Sequence, residues 1–241
     1  MNTTLIVLSG LIAGVLNVAA AGGSLISFLA LSITGVPPLA ANATNLAATP
    51  ASFLSGIPAA WRHRQTLHSG LASAALGTVA GVWLVTSLSA GTFRRAAPVL
   101  LVMAALVLVL QPWLHPRIQR HQGTQHPISR TVWLFCTGIY AGGFGAGVGI
   151  LVLVVLAYTT TWPWLTVTAS KNTICLITSM AGLGTLALTG AVIWPLAALL
   201  AAAMAIGGLI GQWLLRRLPE DLLRGAIAVL AAFGAGHMAA T

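Results

Sequence analysis

The chain has 241 residues, of which 58% are hydrophobic and only 5% are charged. Because soluble domains carry about 25% charged residues, this composition excludes an ordinary soluble protein and indicates an integral membrane protein. The net charge of +9 comes from eleven basic residues against two acids. The arginines lie in short stretches between apolar runs, where they set orientation in a bilayer, so we expect a lipid bilayer as partner and no nucleic acid.

Eight apolar segments are predicted, and most reach the roughly 20 residues that cross a bilayer. They span 4–34, 37–60, 67–89, 96–114, 131–160, 164–189, 191–215 and 222–240. We predict an all-α membrane protein with a first repeat at 1–110, a polar cytoplasmic linker at 111–130 and a second repeat at 131–241. The first segment is kept as part of the mature protein, because no Lys or Arg before Arg62 supplies the positive region of a signal peptide.

Similar motifs recur in the same order in the two halves. The pairs are "GLIAG" (10–14) with "GIYAG" (138–142), "VPPLAANATN" (36–45) with "WPWLTVTASKN" (162–172), and "GTVAGVWL" (77–84) with "GGLIGQWL" (207–214). The last pair shares the pattern GxxxGxWL and is followed at equal spacing by Arg94 and Arg224. Two internal repeats are typical of many transporter folds.

The arginines favour inverted repeats. If every segment crosses, they divide five against five between the two sides; if the first segment of each half dips in and returns, they divide eight against two. The eight are Arg62, Arg64, Arg117, Arg120, Arg130, Arg216, Arg217 and Arg224, and the two are Arg94 and Arg95. The uneven division obeys the positive-inside rule and places both termini on the outer side. Whether these segments dip or cross is left open by the sequence.

Glycines interrupt the first segment of each half. The first contains Gly22 and Gly23 in mid-run, and the second contains five glycines within 142–149. Each glycine costs a helix about 1 kcal/mol relative to alanine, so such a cluster predicts a break. The pairs Gly77/Gly81 and Gly207/Gly211 instead have the spacing of close helix packing. A helix that restarts after each break would direct its positive N-terminal end toward the midplane, which suits a small anion.

Lys171 is the single lysine of the chain and lies in an apolar segment. It follows Trp164 by about 10 Å of helix. It either snorkels back to the interface or serves a function, as ionisable residues inside membranes generally do. Ser170 and Asn172 flank it, and "NATN" (42–45) lies at the matching place in the first half.

The sequence lacks the residues that several other functions require. The two acids, Glu220 and Asp221, lie together in one loop, so cation transport and carboxylate proton relays are disfavoured. Enzyme motifs are missing, and we expect no enzyme activity, no cofactor and no metal site. Cys136 and Cys175 are interpreted as small buried hydrophobic residues.

These motifs together resemble the TauE/SafE family of sulfite and organosulfonate exporters. The resemblance covers about residues 8–236 and rests on "AGVLNVAAAGGSLI", "GVPPLAANATNL", "GIYAGGFGAGVGILV", "ASKNT", "TGAVIW", "GGLIGQWLLRRLP" and "LLRGAIAVLAAFGAG". It implies a permease of the bacterial inner (plasma) membrane that moves a small sulfur oxyanion or a similar organic anion.

We therefore expect a secondary transporter for a small anion, most simply sulfite or a sulfonate, working by alternating access. A passive anion channel and a non-transporting membrane scaffold are the alternatives. The sequence leaves open the direction of transport, the coupling ion and whether the chain forms a homo-oligomer. The candidate substrate-binding residues are Asn17, Gly22, Gly23, Ser24, Thr44, Asn45, Gly145, Gly147, Gly149, Ser170, Lys171 and Asn172.

Overall fold

The computed structural model describes residues 2–19, 22–89, 91–93, 95–96, 99–100, 102, 106 and 127–217, with the backbone alone at 55–69, 164–165 and 215–217. These residues form α1 (Thr3–Ala19), α2 (Gly23–Ile33), α3 (Pro38–Ala48), a 3₁₀ helix (Thr49–Gly56), α4 (Ile57–Ser87), α5 (Pro127–Gly143), α6 (Val148–Thr159), α7 (Trp164–Leu186) and α8 (Trp194–Arg217). The described part contains no strand, which confirms the all-α class. The segment 222–240, Arg94, Arg224 and most of 96–126 lie outside the described residues.

Both glycine-interrupted segments are broken helices. In the first broken helix, α1 ends at Ala19 and α2 begins at Gly23. Gly23 lies so close to the backbone of Ala13 that a Cβ would overlap it, so the chain has turned back beside α1 where α2 begins. In the second broken helix, α5 ends at Gly143 and α6 begins at Val148. The predicted breaks are confirmed, and glycine explains both, since it tolerates turns and close backbone approach.

The predicted boundary between segments 37–60 and 67–89 is wrong. The helix α3 gives way to the 3₁₀ helix at Thr49, and α4 then runs without interruption from Ile57 to Ser87. Pro50 lacks the N–H that would continue α3, whereas Pro58 lies in the first turn of α4, where proline is tolerated. The polar residues 61–69 contain no glycine or proline, so polarity there does not end the helix.

Glycines pack the first arm of each broken helix against a helix of the other half. On one side, Gly10 and Gly14 of α1 contact α8, and Gly207 and Gly211 of α8 contact α1. On the other side, Gly138 and Gly142 of α5 contact α4, and Gly77 and Gly81 of α4 contact α5. The predicted close packing at the GxxxG pairs is confirmed. In both pairs the contacts advance in the same order along the two helices, so α1 runs parallel to α8 and α5 runs parallel to α4.

The helices that follow the breaks, α3 and α7, run in opposite directions. Past the middle of α3, the Thr44 hydroxyl accepts a hydrogen bond of 3.1 Å from the N–H of Ile193, which directly precedes α8. Farther along α3, Leu46 contacts Gly182. Phe53, in the 3₁₀ helix, shares a core cluster with Ile174. Increasing residue number on one side therefore meets decreasing number on the other.

Apolar side chains cover the outside of the bundle, and polar side chains lie inside it. Leu76, Trp83 and Leu209 are 65%, 60% and 61% exposed, whereas Lys171 is 1% exposed. Among the described residues, Gly70–Ser87 and Trp194–Leu214 are long and apolar enough to cross a membrane. An apolar exterior around a polar interior is the pattern expected of a protein surrounded by lipid.

Candidate functional site

A small cavity lies where the two broken helices meet. Its volume is about 20 Å³. The breaks contribute Gly22, Ser24, Phe144, Gly145, Gly147, Val148 and Gly149, and the surrounding elements contribute Asn17, Asn45, Leu46, Thr49, Phe53, Ala141, Cys175, Thr178 and Ser179. Seven of the predicted site residues therefore line one cavity: Asn17, Gly22, Ser24, Asn45, Gly145, Gly147 and Gly149. Residues from both halves of the chain are needed to build it.

Side chains hold the first break in place. The Asn17 side chain accepts a hydrogen bond of 3.0 Å from the N–H of Ser24 and donates one of 3.1 Å to the Ser52 hydroxyl. The Asn45 side chain donates to the Ser24 carbonyl at 2.9 Å and accepts from the Ser27 hydroxyl at 2.6 Å. Asn17 thus satisfies an N–H group in the first turn of α2, which no intrahelical acceptor reaches.

Glycine backbone forms the second break. Gly145 and Gly147 have φ angles of +73° and +76°, in the left-handed region that favours glycine. The Tyr140 hydroxyl donates to the Ala146 carbonyl at 2.6 Å and fixes the loop. Gly147, the N-cap residue of α6, supplies no side-chain cap; the Val148 N–H donates to the Gly145 carbonyl at 3.2 Å, and Gly149 in the first turn of α6 lines the cavity. Phe28 and Phe144 stack edge to face at 5.2 Å and bring the two breaks together.

Lys171 binds the end of α1 beside the cavity. Its Nζ donates hydrogen bonds of 3.0 Å and 3.2 Å to the carbonyls of Asn17 and Val18. The last carbonyls of a helix lack intrahelical partners and carry a partial negative charge, so a lysine stabilises this end. The side chain does not snorkel to an interface. This partner was not predicted, because α1 and α7 are far apart in the chain.

The other predicted site residues lie around the cavity without lining it. Thr44 is occupied by the N–H of Ile193, and Gly23 packs against Ala13. The Ser170 hydroxyl and the Asn172 side-chain oxygen are buried, and neither has a hydrogen-bond partner in the described part of the chain. Along α7, Lys171 precedes the lining residue Cys175 by about one helical turn, and Ser170, Lys171 and Asn172 are not among the lining residues.

Three cavity residues of α7 were not predicted: Cys175, Thr178 and Ser179. Cys175 was interpreted only as a small buried residue, and it is buried, with its thiol free; the same interpretation of Cys136 was wrong, because Cys136 is exposed. The helical spacing contained the missing signal. Residues four, seven and eight positions beyond Lys171 return to the same face of a helix, and these are Cys175, Thr178 and Ser179.

The cavity in this conformation is small. Its volume of about 20 Å³ exceeds the roughly 10–15 Å³ that a buried water molecule needs. The hydroxyls of Thr178 and Ser179 both donate to the Cys175 carbonyl, so they present acceptor lone pairs to the cavity. The donors left for an anion are backbone N–H groups of the breaks and the second N–H of the Asn17 and Asn45 amides, since the first N–H of each bonds the Ser52 hydroxyl or the Ser24 carbonyl.

Comparisons with known proteins identify the family and relatives of this chain. The family model described as "Sulfite exporter TauE/SafE" matches residues 6–238. The "Probable membrane transporter protein YfcA" of Escherichia coli K12 is 25% identical over 226 residues, covering 92% of this chain and 84% of the relative. The "Probable membrane transporter protein ORF9" of a Sinorhizobium species is 27% identical over 205 residues, covering 83% and 78%. No solved structure matches significantly. The chain belongs to the TauE/SafE family of membrane transporters.

Proposed function

We propose that this protein is a secondary transporter that carries a small anion, sulfite or an organosulfonate, by alternating access between two inverted repeats. The observation that carries the proposal is the meeting of two broken helices, one from each half, at a single polar cavity. Transporters of several folds bind their cargo at such a place, where restarted helices direct N–H groups and positive dipole ends at it. The proposed unit is a transporter with no enzymatic step.

The inverted arrangement is supported by the lengths of the helices. Asn17 lies about 21 Å along α1, and its partner Lys171 lies about 10 Å along α7. Gly143 lies about 24 Å along α5, and Asn42, whose side chain donates to the Gly143 carbonyl at 3.0 Å, lies about 6 Å along α3. The distance along α1 added to that along α7, and the distance along α5 added to that along α3, are each close to the hydrocarbon thickness of about 30 Å. This is expected if the two helices of each pair enter the membrane from opposite faces. The antiparallel course of α3 and α7 supports the same arrangement.

The charge of the site supports an anion as cargo. Both acids of the chain, Glu220 and Asp221, lie outside the predicted membrane segments, whereas Lys171 is buried next to the cavity. The N-terminal ends of α2 and α6 add partial positive charge. We propose that cargo binds when the cavity enlarges, with Lys171 supplying charge. The remaining contacts would come from Asn17, Gly22, Gly23, Ser24, Thr44, Asn45, Gly145, Gly147, Gly149, Ser170 and Asn172.

The proposed placement is the inner (plasma) membrane. The repeats occupy 1–110 and 131–241, the linker 111–130 is cytoplasmic, and both termini lie outside. The division of the arginines, eight against two, supports this orientation. Among the described residues, Arg130 lies over the Trp162 ring at 5.4 Å, the environment of a residue at the membrane interface.

Flux of radiolabelled sulfite into proteoliposomes tests the proposal. We expect saturable flux in the unaltered protein and a large loss in Lys171→Ala. Thr173→Val is the matched control, because Thr173 lies on the same turn but donates only to Ala169 of its own helix. Unchanged flux in Lys171→Ala would reject the proposed site. Flux that stays linear with sulfite concentration would favour a passive channel, and absence of flux for sulfite and sulfonates alike would favour a scaffold.

A further inference from the structure

Each broken helix is held at its inner end by a side chain from the opposite half. The Lys171 ammonium of α7 binds the carbonyls of Asn17 and Val18 at the end of α1. The Asn42 amide of α3 binds the carbonyl of Gly143, the last residue of α5, at 3.0 Å. Both contacts use carbonyls that a helix end leaves without an intrahelical partner. Equivalent ends in the two halves are therefore closed by different chemistry, a cation in one and a neutral amide in the other.

The two contacts lie on opposite sides of the cavity. Along α7, Lys171 precedes the cavity residue Cys175 by one helical turn. Along α3, Asn42 precedes the cavity residue Asn45 by nearly one turn. Each contact thus lies toward the start of its own helix, and α3 and α7 run in opposite directions. One contact therefore separates the cavity from one face of the protein, and the other contact separates it from the opposite face.

Buried oxygens without partners accompany both contacts. Beside Lys171, the side-chain oxygens of Thr168 and Asn172 are buried and have no hydrogen-bond partner among the described residues. Asn42 has the same feature at its own side-chain oxygen. Buried polar atoms are nearly always satisfied by protein or by water. Thr168, Asn172 and Cys175 share one face of α7 by their spacing, so these oxygens extend the polar surface of the cavity past Lys171.

We propose that these contacts are the two gates of the transporter, and that they open one at a time. The Lys171 gate joins Lys171 to Asn17 and Val18, and the Asn42 gate joins Asn42 to Gly143. Opening either gate frees the end of one broken helix and admits water to the unsatisfied oxygens on that side. An anion competes with the carbonyls for the ammonium, so it opens the Lys171 gate; the amide of the Asn42 gate gives an anion no comparable advantage. This inference rests on the proposed inverted transporter.

Cys175 is a native reporter of access to the cavity. The only other thiol, Cys136, is removed by Cys136→Ala. Membrane-impermeant maleimide is then applied to sealed vesicles of each orientation, with and without methanesulfonate, an anion that does not react with maleimide. We expect Lys171→Met to raise the labelling rate severalfold from the face where α7 begins, and Asn42→Leu to raise it severalfold from the opposite face. Methanesulfonate is expected to raise labelling from the Lys171 face in the protein with both gates intact and to add nothing in Lys171→Met.

Control variants separate gating from general loosening. Thr173→Val is expected to leave labelling unchanged on both faces, since its hydroxyl bonds within α7. All variants are compared for a monodisperse elution profile and a thermal midpoint; if Lys171→Met or Asn42→Leu does not fold, Lys171→Gln and Asn42→Ser replace them with the same expectation. Folded gate variants that label equally from both faces, or that label no faster than the parent, would overturn the proposal.

Sulfite flux is measured on the same proteins, so the two proposals fail separately. Labelling of Cys175 from one face only, without flux of sulfite, would support the two gates and contradict sulfite as the cargo. Flux of sulfite together with labelling of Cys175 from both faces would support the proposed transporter and contradict the two gates.

Discussion

The first broken helix is held at its break by side chains, whereas the second is held by glycine backbone. In the first, the Asn17 amide bonds the N–H of Ser24, and a buried ammonium binds the end of α1. In the second, two glycines take positive φ angles, and the end of α5 is bound by a neutral amide. The arms that lead to the breaks are alike, since each packs through glycines against a helix of the other half. The glycine-packed arms, which the two broken helices share, stabilise the fold, and the groups that differ lie at the breaks around the cavity.

The first prediction has the largest expected loss of stability. It tests whether α1 and α5, the first arms of the two broken helices, pack in the same way. Gly14→Ala and Gly142→Ala each place a Cβ against a backbone carbonyl, that of Met204 in α8 or that of Thr78 in α4. Overpacking of this kind costs about 1–3 kcal/mol. We expect thermal midpoints in detergent to fall by similar amounts in both variants. Gly143→Ala is the control, because a Cβ at Gly143 meets nothing within 4 Å. A loss confined to one arm would contradict the equivalence of the two halves.

The second prediction compares the effects on sulfite flux of removing the Lys171 ammonium and of removing the Asn42 amide. Lys171→Met removes the charge offered to an anion, and we expect the half-saturation concentration for sulfite to rise roughly tenfold, which corresponds to about 1.4 kcal/mol. Asn42→Leu removes no charge and is expected to change the maximal flux while leaving half-saturation within about twofold. Initial rates over a concentration series in proteoliposomes measure both quantities. Equal changes of half-saturation in the two variants would show that the ends of the broken helices do not differ in their response to anions.

The third prediction compares the backbones of the two breaks. Gly147 has φ +76°, whereas Gly22 has φ −177°, an extended value open to any residue. Gly147→Ala is therefore expected to cost roughly 1–2 kcal/mol from left-handed strain, since no atom lies near its new Cβ. Gly22→Ala carries no such strain. Chemical unfolding of both variants measures the difference, and a cost at Gly22 equal to that at Gly147 would count against the contrast drawn between the breaks.

The smallest expected difference between two variants concerns the polar side chains that support each break. Asn17→Ala removes two hydrogen bonds, to Ser24 and to Ser52, and is expected to cost about 1–2 kcal/mol. Tyr140→Phe removes one, to the Ala146 carbonyl, and is expected to cost about 1 kcal/mol or less. Thermal midpoints rank the two variants. The reverse order would mean that the tyrosine, and not glycine geometry, holds the second break.

Local features of the site were predictable because they depend on neighbouring residues. The breaks follow from glycine clusters, since the helix penalty of glycine acts within one turn. Close packing at Gly77/Gly81 and Gly207/Gly211 follows from their spacing. The boundary at 61–66 was predicted wrongly, because polarity alone does not stop a helix that has no glycine or proline. Cys175, Thr178 and Ser179 could also have been predicted, because their spacing from Lys171 places them on the same face of the helix.

By itself, the sequence determined a helical membrane protein with motifs repeated in its two halves, a glycine break in each and one lysine inside an apolar segment, because composition, periodicity and glycine act locally. Only the tertiary structure decided which glycine helix packs on which, that Lys171 binds the end of α1, and that Asn42 occupies the corresponding place at the end of α5. These contacts join residues more than a hundred positions apart. No local pattern selects among such partners; they are fixed when the apolar and glycine-lined faces of all the helices are packed together.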